Sequence, residues 1–281
     1  MHVTRHTDPD AFLAAVAPIA ARGEASASFF VGWAHSLKRT PPEADARVYL
    51  ATCAGVGLCG VAMQRDDGPV IVGQSDPAAA IAFADDLALD WPALQGVVGA
   101  TVPSEAFVRR WRELTGRGHA LRLRLRQHVL RNVAAVPGAS GAARVAIPAD
   151  LHWLIERQNA FIVEVGIPDS PERISRTMGK RVDRGDFWIW DDEIPVAFVG
   201  FNDAAPEFAR IAPVYTLPDR RGRGYATALV AALSRELLRR GKEKLFLTTD
   251  LANPTSNAIY ARIGFRPEND DCHFDFVDDD A

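Results

Sequence analysis

From Arg220 to Gly224 the sequence reads Arg-Arg-Gly-Arg-Gly, and Tyr225 and Ala226 open an alanine- and leucine-rich run directly after it. Arginine supplies mobile positive charge. Glycine leaves the backbone bare, so its N–H groups can approach a ligand with no Cβ in the way. A helix beginning at Tyr225 aims its unpaired N–H groups and the positive end of its dipole at the same point. Charge, bare backbone and helix start together describe an anion site, most naturally one for a pyrophosphate.

Several readings of that site compete. A Walker A loop ends in Gly-Lys-Ser/Thr, which is absent. A dinucleotide fingerprint needs a third glycine where Thr227 stands and belongs to the first βα turn of its domain. Here the turn follows a hairpin and two helices. The pyrophosphate of coenzyme A asks for the same features, and a tight turn with solvated arginines is the plainer alternative. A second group of interest lies in Asn253-Pro-Thr-Ser-Asn-Ala-Ile-Tyr-Ala-Arg-Ile-Gly-Phe265, where Asn257 and Tyr260 are three apart on one helical face.

The elements that must hold these residues read as a mixed α/β unit. Residues 149–166 have helical spacing. Residues 169–185 open with a cap-like Asp169 or Ser170 before Pro171. Two apolar runs around Asp191, Asp192 and Glu193 predict a hairpin. Residues 208–218 read as a third strand that stops at Pro218, and a helix follows with Leu229, Leu233 and Leu237 four apart, closed by Gly241. Residues 244–250 are an apolar strand of the kind buried on both faces. Asn253 before Pro254 is a good cap for the next helix, and residues 272–277 form a last strand before an acidic tail.

The first half repeats this order: two helices within residues 9–38, a glycine-containing hairpin, a short strand, a helix, a strand, a helix and a strand. In the last of these Leu121, Leu123 and Leu125 alternate with Arg122, Arg124 and Arg126, which predicts a leucine face and an arginine face. The small, Gly- and Pro-containing stretch Val136–Val145 marks a boundary. We expect an α/β (α+β mixed sheet) chain of two similar domains, residues 1–136 and 144–281, joined by a linker at 137–143.

The totals narrow the class. A chain of 281 residues suits one large domain or two ordinary ones, and 48% hydrophobic with 24% charged residues is the content of a folded protein. A net charge of −4 argues against a general nucleic-acid partner. Cys53, Cys59 and Cys272 form neither a disulfide framework nor a zinc pattern, which fits a reducing cytoplasm. The histidines show no metal spacing. No apolar run is long enough for a spanning helix, so no membrane partner is expected.

The two motifs together resemble the GNAT superfamily of acyl-CoA N-acyltransferases. Arg221–Ala226 fits that superfamily's R-x-x-G-x-G/A signature, and Asn253–Phe265 looks like its second motif. The resemblance covers residues 144–275. It implies a GNAT fold, acetyl-CoA held in a V-shaped gap between two splayed strands, and acetyl transfer to an amine. By resemblance the cofactor contacts fall on the backbone of Val214, Tyr215 and Thr216, on Arg221, Gly222, Arg223, Gly224, Tyr225 and Ala226, and on Asn253 and Asn257. Pro213 fits the gap, because proline belongs where strand pairing is interrupted. Tyr260 is the implied proton donor to the departing thiolate. A phenol of pKa about 10 against a thiol of about 8.5 makes full transfer uphill by about 2 kcal/mol. Glu164, Glu207 and Asp250 are candidate bases.

The first half departs from this pattern. Aligned by Pro103 and Pro254, it carries Ala106 where Asn257 stands and Arg109 where Tyr260 stands, and it has no arginine–glycine turn. We expect it to be a degenerate GNAT-like copy that binds no coenzyme A. The expected function is an acetyl-CoA-dependent N-acetyltransferase acting directly on a primary amine of a small molecule or peptide. A non-catalytic acyl-CoA-binding or sensor module is the alternative.

Overall fold

The computed structural model of the chain describes residues 1–21, 24–39, 48–65, 68–166 and 171–278. The cap expected at Asp169 or Ser170 and the end of the acidic tail lie outside these residues. The first elements are β1 (His2–Arg5), α1 (Pro9–Ala20), α2 (Ala25–Arg39), β2 (Val48–Gly55), β3 (Gly57–Arg65), β4 (Val70–Val72), α3 (Pro77–Ala88), β5 (Gly96–Ala100), α4 (Thr101–Thr115) and β6 (Gly118–Leu130). There follow β7 (Ala142–Val145), α5 (Leu151–Val165), α6 (Pro171–Asp183), β8 (Phe187–Asp192), β9 (Ile194–Ala205), β10 (Phe208–Thr216), α7 (Tyr225–Arg239), β11 (Lys244–Asp250), α8 (Pro254–Ile263) and β12 (Arg266–Val277). Among the described residues no helix is long and apolar enough to cross a membrane.

The chain divides into two compact units. One comprises Met1–His128, Thr248–Pro254 and Pro267–Ala281, the other Val129–Leu247 and Thr255–Arg266. This division does not follow the linear split at residues 136–144. The reason is strand pairing: β12 joins β5 antiparallel from Asp271↔Ala100 to Asp275↔Gly96. Its apolar side chains Phe274 and Phe276 fill the first unit's core beside Tyr49, Phe83, Phe107 and Trp111. Trp111 and Phe276 stack at 5.3 Å, and Phe107 and Trp111 at 5.8 Å. Each such ring, once buried, stabilises the fold by about 1.5–3 kcal/mol. The last strand of the chain is therefore structural material of the first unit. The expected linker is also part of a unit: Ala142–Val145 pairs antiparallel with Asp191–Trp188 as an edge strand.

The strand order in the first unit is β1-β2-β3-β4-β5-β12-β6. The leucine face expected on β6 is only half covered. Leu121 is exposed, and burial concentrates at the strand's end on Gln127, His128 and Leu130.

In the second unit the order is β11-β10-β9-β8-β7. The two-residue period of β9 serves two cores at once. Ala197, Val199 and Phe201 meet Leu229, Leu233 and Leu237 of α7, together with Tyr260 and Ile263 of α8. Phe198 turns the other way, to Phe187, Ile189 and Tyr215 and to Leu154, Ile174 and Met178 of α5 and α6. Helix α7 ends as its sequence predicts. Gly241 takes φ 95°, Lys242 N–H donates to the Leu237 carbonyl at 3.1 Å and Gly241 N–H to that of Leu238 at 3.0 Å, a Schellman closure.

Candidate functional site

The site grows from one strand and one helix mouth in the second unit. Strand β10 pairs parallel with β11 over Phe208–Arg210 and Lys244–Phe246 only. It then runs to Thr216, while β11 runs through Leu247 without another shared pair. A register shift against β9 lies between Ile211 and Val214 and brackets Pro213, where a ladder donor is missing. The strands therefore part at the place where proline interrupts pairing.

The side of β10 that faces the opening follows from hydrogen-bond alternation. Leu217 N–H donates to the Val196 carbonyl at 3.0 Å. In the register that pairs Tyr215 with Phe198, the backbone groups of Tyr215 thus face β9 and those of Val214 and Thr216 face away from it. Of the three strand residues implied as backbone contacts, Val214 and Thr216 present their amides to the open side and Tyr215 does not. The Thr216 carbonyl there already accepts a bond from Arg221 Nε at 3.1 Å, and its hydroxyl is buried without a partner.

After a short helical turn at Pro218–Arg220 the chain reaches Gly222 with φ 77° and Gly224 with φ 84°. These left-handed conformations favour glycine. A Cβ on Gly222 would meet nothing within 4 Å, and one on Gly224 only the Ala139 Cβ at 4.0 Å. The first bond of α7 runs from Ala228 N–H to the Gly224 carbonyl at 3.0 Å, and no side chain caps the helix. The N–H groups from Gly224 to Thr227, which include Tyr225 and Ala226, have no helical partner. An uncapped helix mouth beside open space is a fit for a diphosphate.

The arginines do not all point at that mouth. Arg221 folds back, with its guanidinium 5.6 Å from the Tyr215 ring centroid and Nη2 2.6 Å from Glu164 Oε2 on α5. That bond raises the Arg221 pKa further. Arg220 lies 3.4 Å from Asp219, and Arg223 is exposed. Tyr225 is buried, and its hydroxyl donates to Asp192 at the end of β8. The sequence offers no local signal for that bond, since Asp192 reads there as part of a solvated turn.

Residues 151–265 match the model of the acetyltransferase (GNAT) family. These residues, less than half of the chain, are similar to a GNAT acetyltransferase domain. The whole chain also shares its fold with solved structures. A GNAT-family acetyltransferase from Colwellia psychrerythraea has 12% identity and a TM-score of 0.59, over 99% of this chain and 100% of that one. A Drosophila protein has 17% identity and a TM-score of 0.66, over 98% of each chain. A tandem GNAT protein from the clavulanic acid biosynthesis pathway has 15% identity and a TM-score of 0.59, over 99% and 98%. No curated protein matches the sequence. The chain shares its fold over both halves with that tandem protein, as the repeated element order predicts, and its first half lacks the arginine–glycine motif. The chemistry of the matched family is acyl transfer.

Within the matched residues Tyr260 sits in the same apolar cluster as Tyr225, with Val214 packed against that cluster. Its ring meets Phe265 edge-on at 5.9 Å, and its hydroxyl bonds to no described residue. Burial raises its pKa well above the usual phenol value. Asn257 is half-buried one turn earlier on α8. Asn253 lies with the first unit, its N–H bonded to the Asp250 carbonyl at 3.1 Å.

The three candidate bases separate. Asp250 accepts from Ala252 N–H at 2.8 Å and so braces the turn into α8. Glu207 stands before β10, at the far end of the strand from the helix mouth. Nine strand residues put about 30 Å between them. Glu164 alone touches the anion loop, through Arg221. No group of three or more His, Cys, Asp or Glu among the described residues could hold a metal ion.

Proposed function

We propose that the chain is an N-acetyltransferase that moves the acetyl group of acetyl-CoA directly to a primary amine. One observation carries this reading. The uncapped N–H groups of Gly224–Thr227 open beside the space left by Gly222 and Gly224, directly after the strand that parts from β11. Bound acetyl-CoA supplies an activated acetyl thioester.

The chain's own residues then have distinct tasks. The N–H groups of Gly224, Tyr225, Ala226 and Thr227 bind the diphosphate, with Gly222 leaving room for it and Arg223 adding charge. The open-side amides of Val214 and Thr216 orient the pantetheine arm, and Asn257 adds a side-chain contact to it. Positioning of this kind is most of what direct transfer requires. Tyr260 holds its proton at the phenol oxygen over the whole neutral range, because burial disfavours the phenolate. A raised pKa makes complete transfer to a thiolate costlier than for a free tyrosine. Tyr260 therefore acts by donating a hydrogen bond to the sulfur, worth about 1.5–3 kcal/mol to a charged acceptor.

The test is coenzyme A release from acetyl-CoA against a panel of primary amines, with the acetylated product confirmed by mass. Acetyl-CoA binding without thiol release across the panel would make the chain a binding module instead. No binding at all would remove the reading.

A further inference from the structure

Behind the helix mouth lies a hydrogen-bonded group that no motif announces. Asp192, the last residue of β8, accepts from the Tyr225 hydroxyl and from Ser140 Oγ at 3.0 Å. Ser140 is fixed in turn, since its carbonyl accepts from Trp190 Nε1 at 2.7 Å. The Trp190 and Tyr225 rings lie 6.5 Å apart within the same core. Tyr225 is the first residue of α7, so the bond to Asp192 ties the origin of the helix to the β8–β9 turn. The Tyr225 hydroxyl first, then that of Ser140, then the charges of Arg220 and Arg223 hold the Asp192 carboxyl below its usual range. A carboxylate thus stands within the field of Arg220 and Arg223, two arginines of the turn that leads into the proposed diphosphate site.

We propose that Asp192 is a positioning residue for the anion site, acting through Tyr225 on the place of the helix mouth and through its charge on the affinity for coenzyme A. The two actions oppose each other. The tether keeps the Gly224–Thr227 amides where a diphosphate meets them. The charge repels that diphosphate and competes with it for Arg220 and Arg223. A site built this way binds its cofactor less tightly than its amides allow, which favours release of coenzyme A as product. The inference rests on the diphosphate reading of the mouth.

Two substitutions separate the two actions. Asp192→Asn keeps an oxygen that accepts from Tyr225 and Ser140 but removes the charge. Tyr225→Phe keeps the ring and the charge but removes the tether. Coenzyme A itself is the probe, titrated calorimetrically into the full chain at low and high salt, with thermal unfolding as the check on folding. D192N is expected to bind about five-fold more tightly at low salt, and the gain should shrink as added salt screens the lost repulsion. Y225F is expected to bind several-fold more weakly. A purely architectural role predicts the same sign for both variants. D192N that binds no tighter than the wild type overturns the inference while leaving the functional reading in place, even if Y225F does not fold. A wild-type chain that binds no coenzyme A overturns both.

Discussion

Each half of the chain sets a helix after a strand of its sheet, α3 after β4 and α7 after β10, yet the two helix mouths are chemical opposites. At α3 the Asp76 side chain accepts from Ala78 N–H at 2.8 Å, so a carboxylate already occupies the place of an anion. The residues before it are bonded as well. Gly73 N–H donates to Val61 O at 3.0 Å, Gln74 N–H to Ser26 Oγ at 3.0 Å and Asp76 N–H to Cys59 O at 2.8 Å. At α7 no side chain caps the mouth. The strands differ in the same sense. β4 is paired with β5 along its whole length, and a Cβ on Gly99 would meet the Val72 carbonyl at 1.9 Å. β10 leaves β11 after three pairs. A helix dipole is present in both units. What distinguishes them is whether the first-turn amides are spent and whether the strands leave a gap.

The comparison breaks most visibly at Gly224. Valine there would have to adopt φ 84°, a conformation that costs a β-branched residue about 1–3 kcal/mol. Relief of that strain moves the helix start. Losing two amide bonds to a charged diphosphate, at about 1.5–3 kcal/mol each, predicts a fall in coenzyme A affinity of at least about 100-fold. Calorimetry on folded G224V checks it, and unchanged affinity would take the mouth out of the site. Next in size, Tyr260→Phe should lower kcat by about 10–100-fold, the worth of one hydrogen bond to a thiolate, with acetyl-CoA affinity nearly intact. Equal turnover would leave Tyr260 as a core residue only.

Opening the first mouth should do much less. Asp76→Ala removes a cap worth about 1 kcal/mol and should lower the unfolding midpoint by a few degrees. It should not create a second coenzyme A site, because the paired β4 and β5 still leave no gap. Binding of two coenzyme A molecules by this variant would show that the cap, and not the strand spacing, closes the first unit.

The chain's local chemistry was readable and its long-range pairing was not. Gly222, Gly224 and the leucines of α7 carry their message in neighbouring residues, so the turn, the helix start and the Gly241 closure stand where the sequence puts them. The hairpin around Glu193 belongs to the same kind of reading. The alternating pattern of β12 announces a strand but carries no address, and its partner proves to be β5. The Gly/Pro-containing stretch at 137–143 looked like a spacer because small residues also suit a close edge strand. A Cβ on Gly141 would meet the Asp191 carbonyl at 2.0 Å. Arg221 and Asp192 find their partners 57 and 33 residues away, beyond any periodicity.

The smallest effect expected is a difference in acid response between the units. His6, His35, His128 and His273 all belong to the first unit, and desolvation lowers the pKa of each. His128 is the most buried of them, bonded through Nε2 to Thr249 Oγ1 at 3.0 Å, with Nδ1 lacking any partner. Below about pH 6.5 the unfolded chain takes up protons that the folded first unit refuses, so its stability falls as pH falls through that value. The one histidine of the second unit is His152, which is exposed. One acid-sensitive group of the second unit is of another kind. The Arg144 guanidinium holds the Asp150 carboxyl below its usual range, a contribution fully present above about pH 4 and lost as pH falls below it. Amide exchange compared at pH 7 and pH 5.5, corrected for the intrinsic rate, should therefore show weakened protection in β6 and β12 while α7 and β9 keep theirs. His128→Gln should narrow the difference, since an amide bonds Thr249 without a proton to gain. Equal loss in both units would mean that the two cores unfold as one, and the contrast between them would then be confined to the helix mouths.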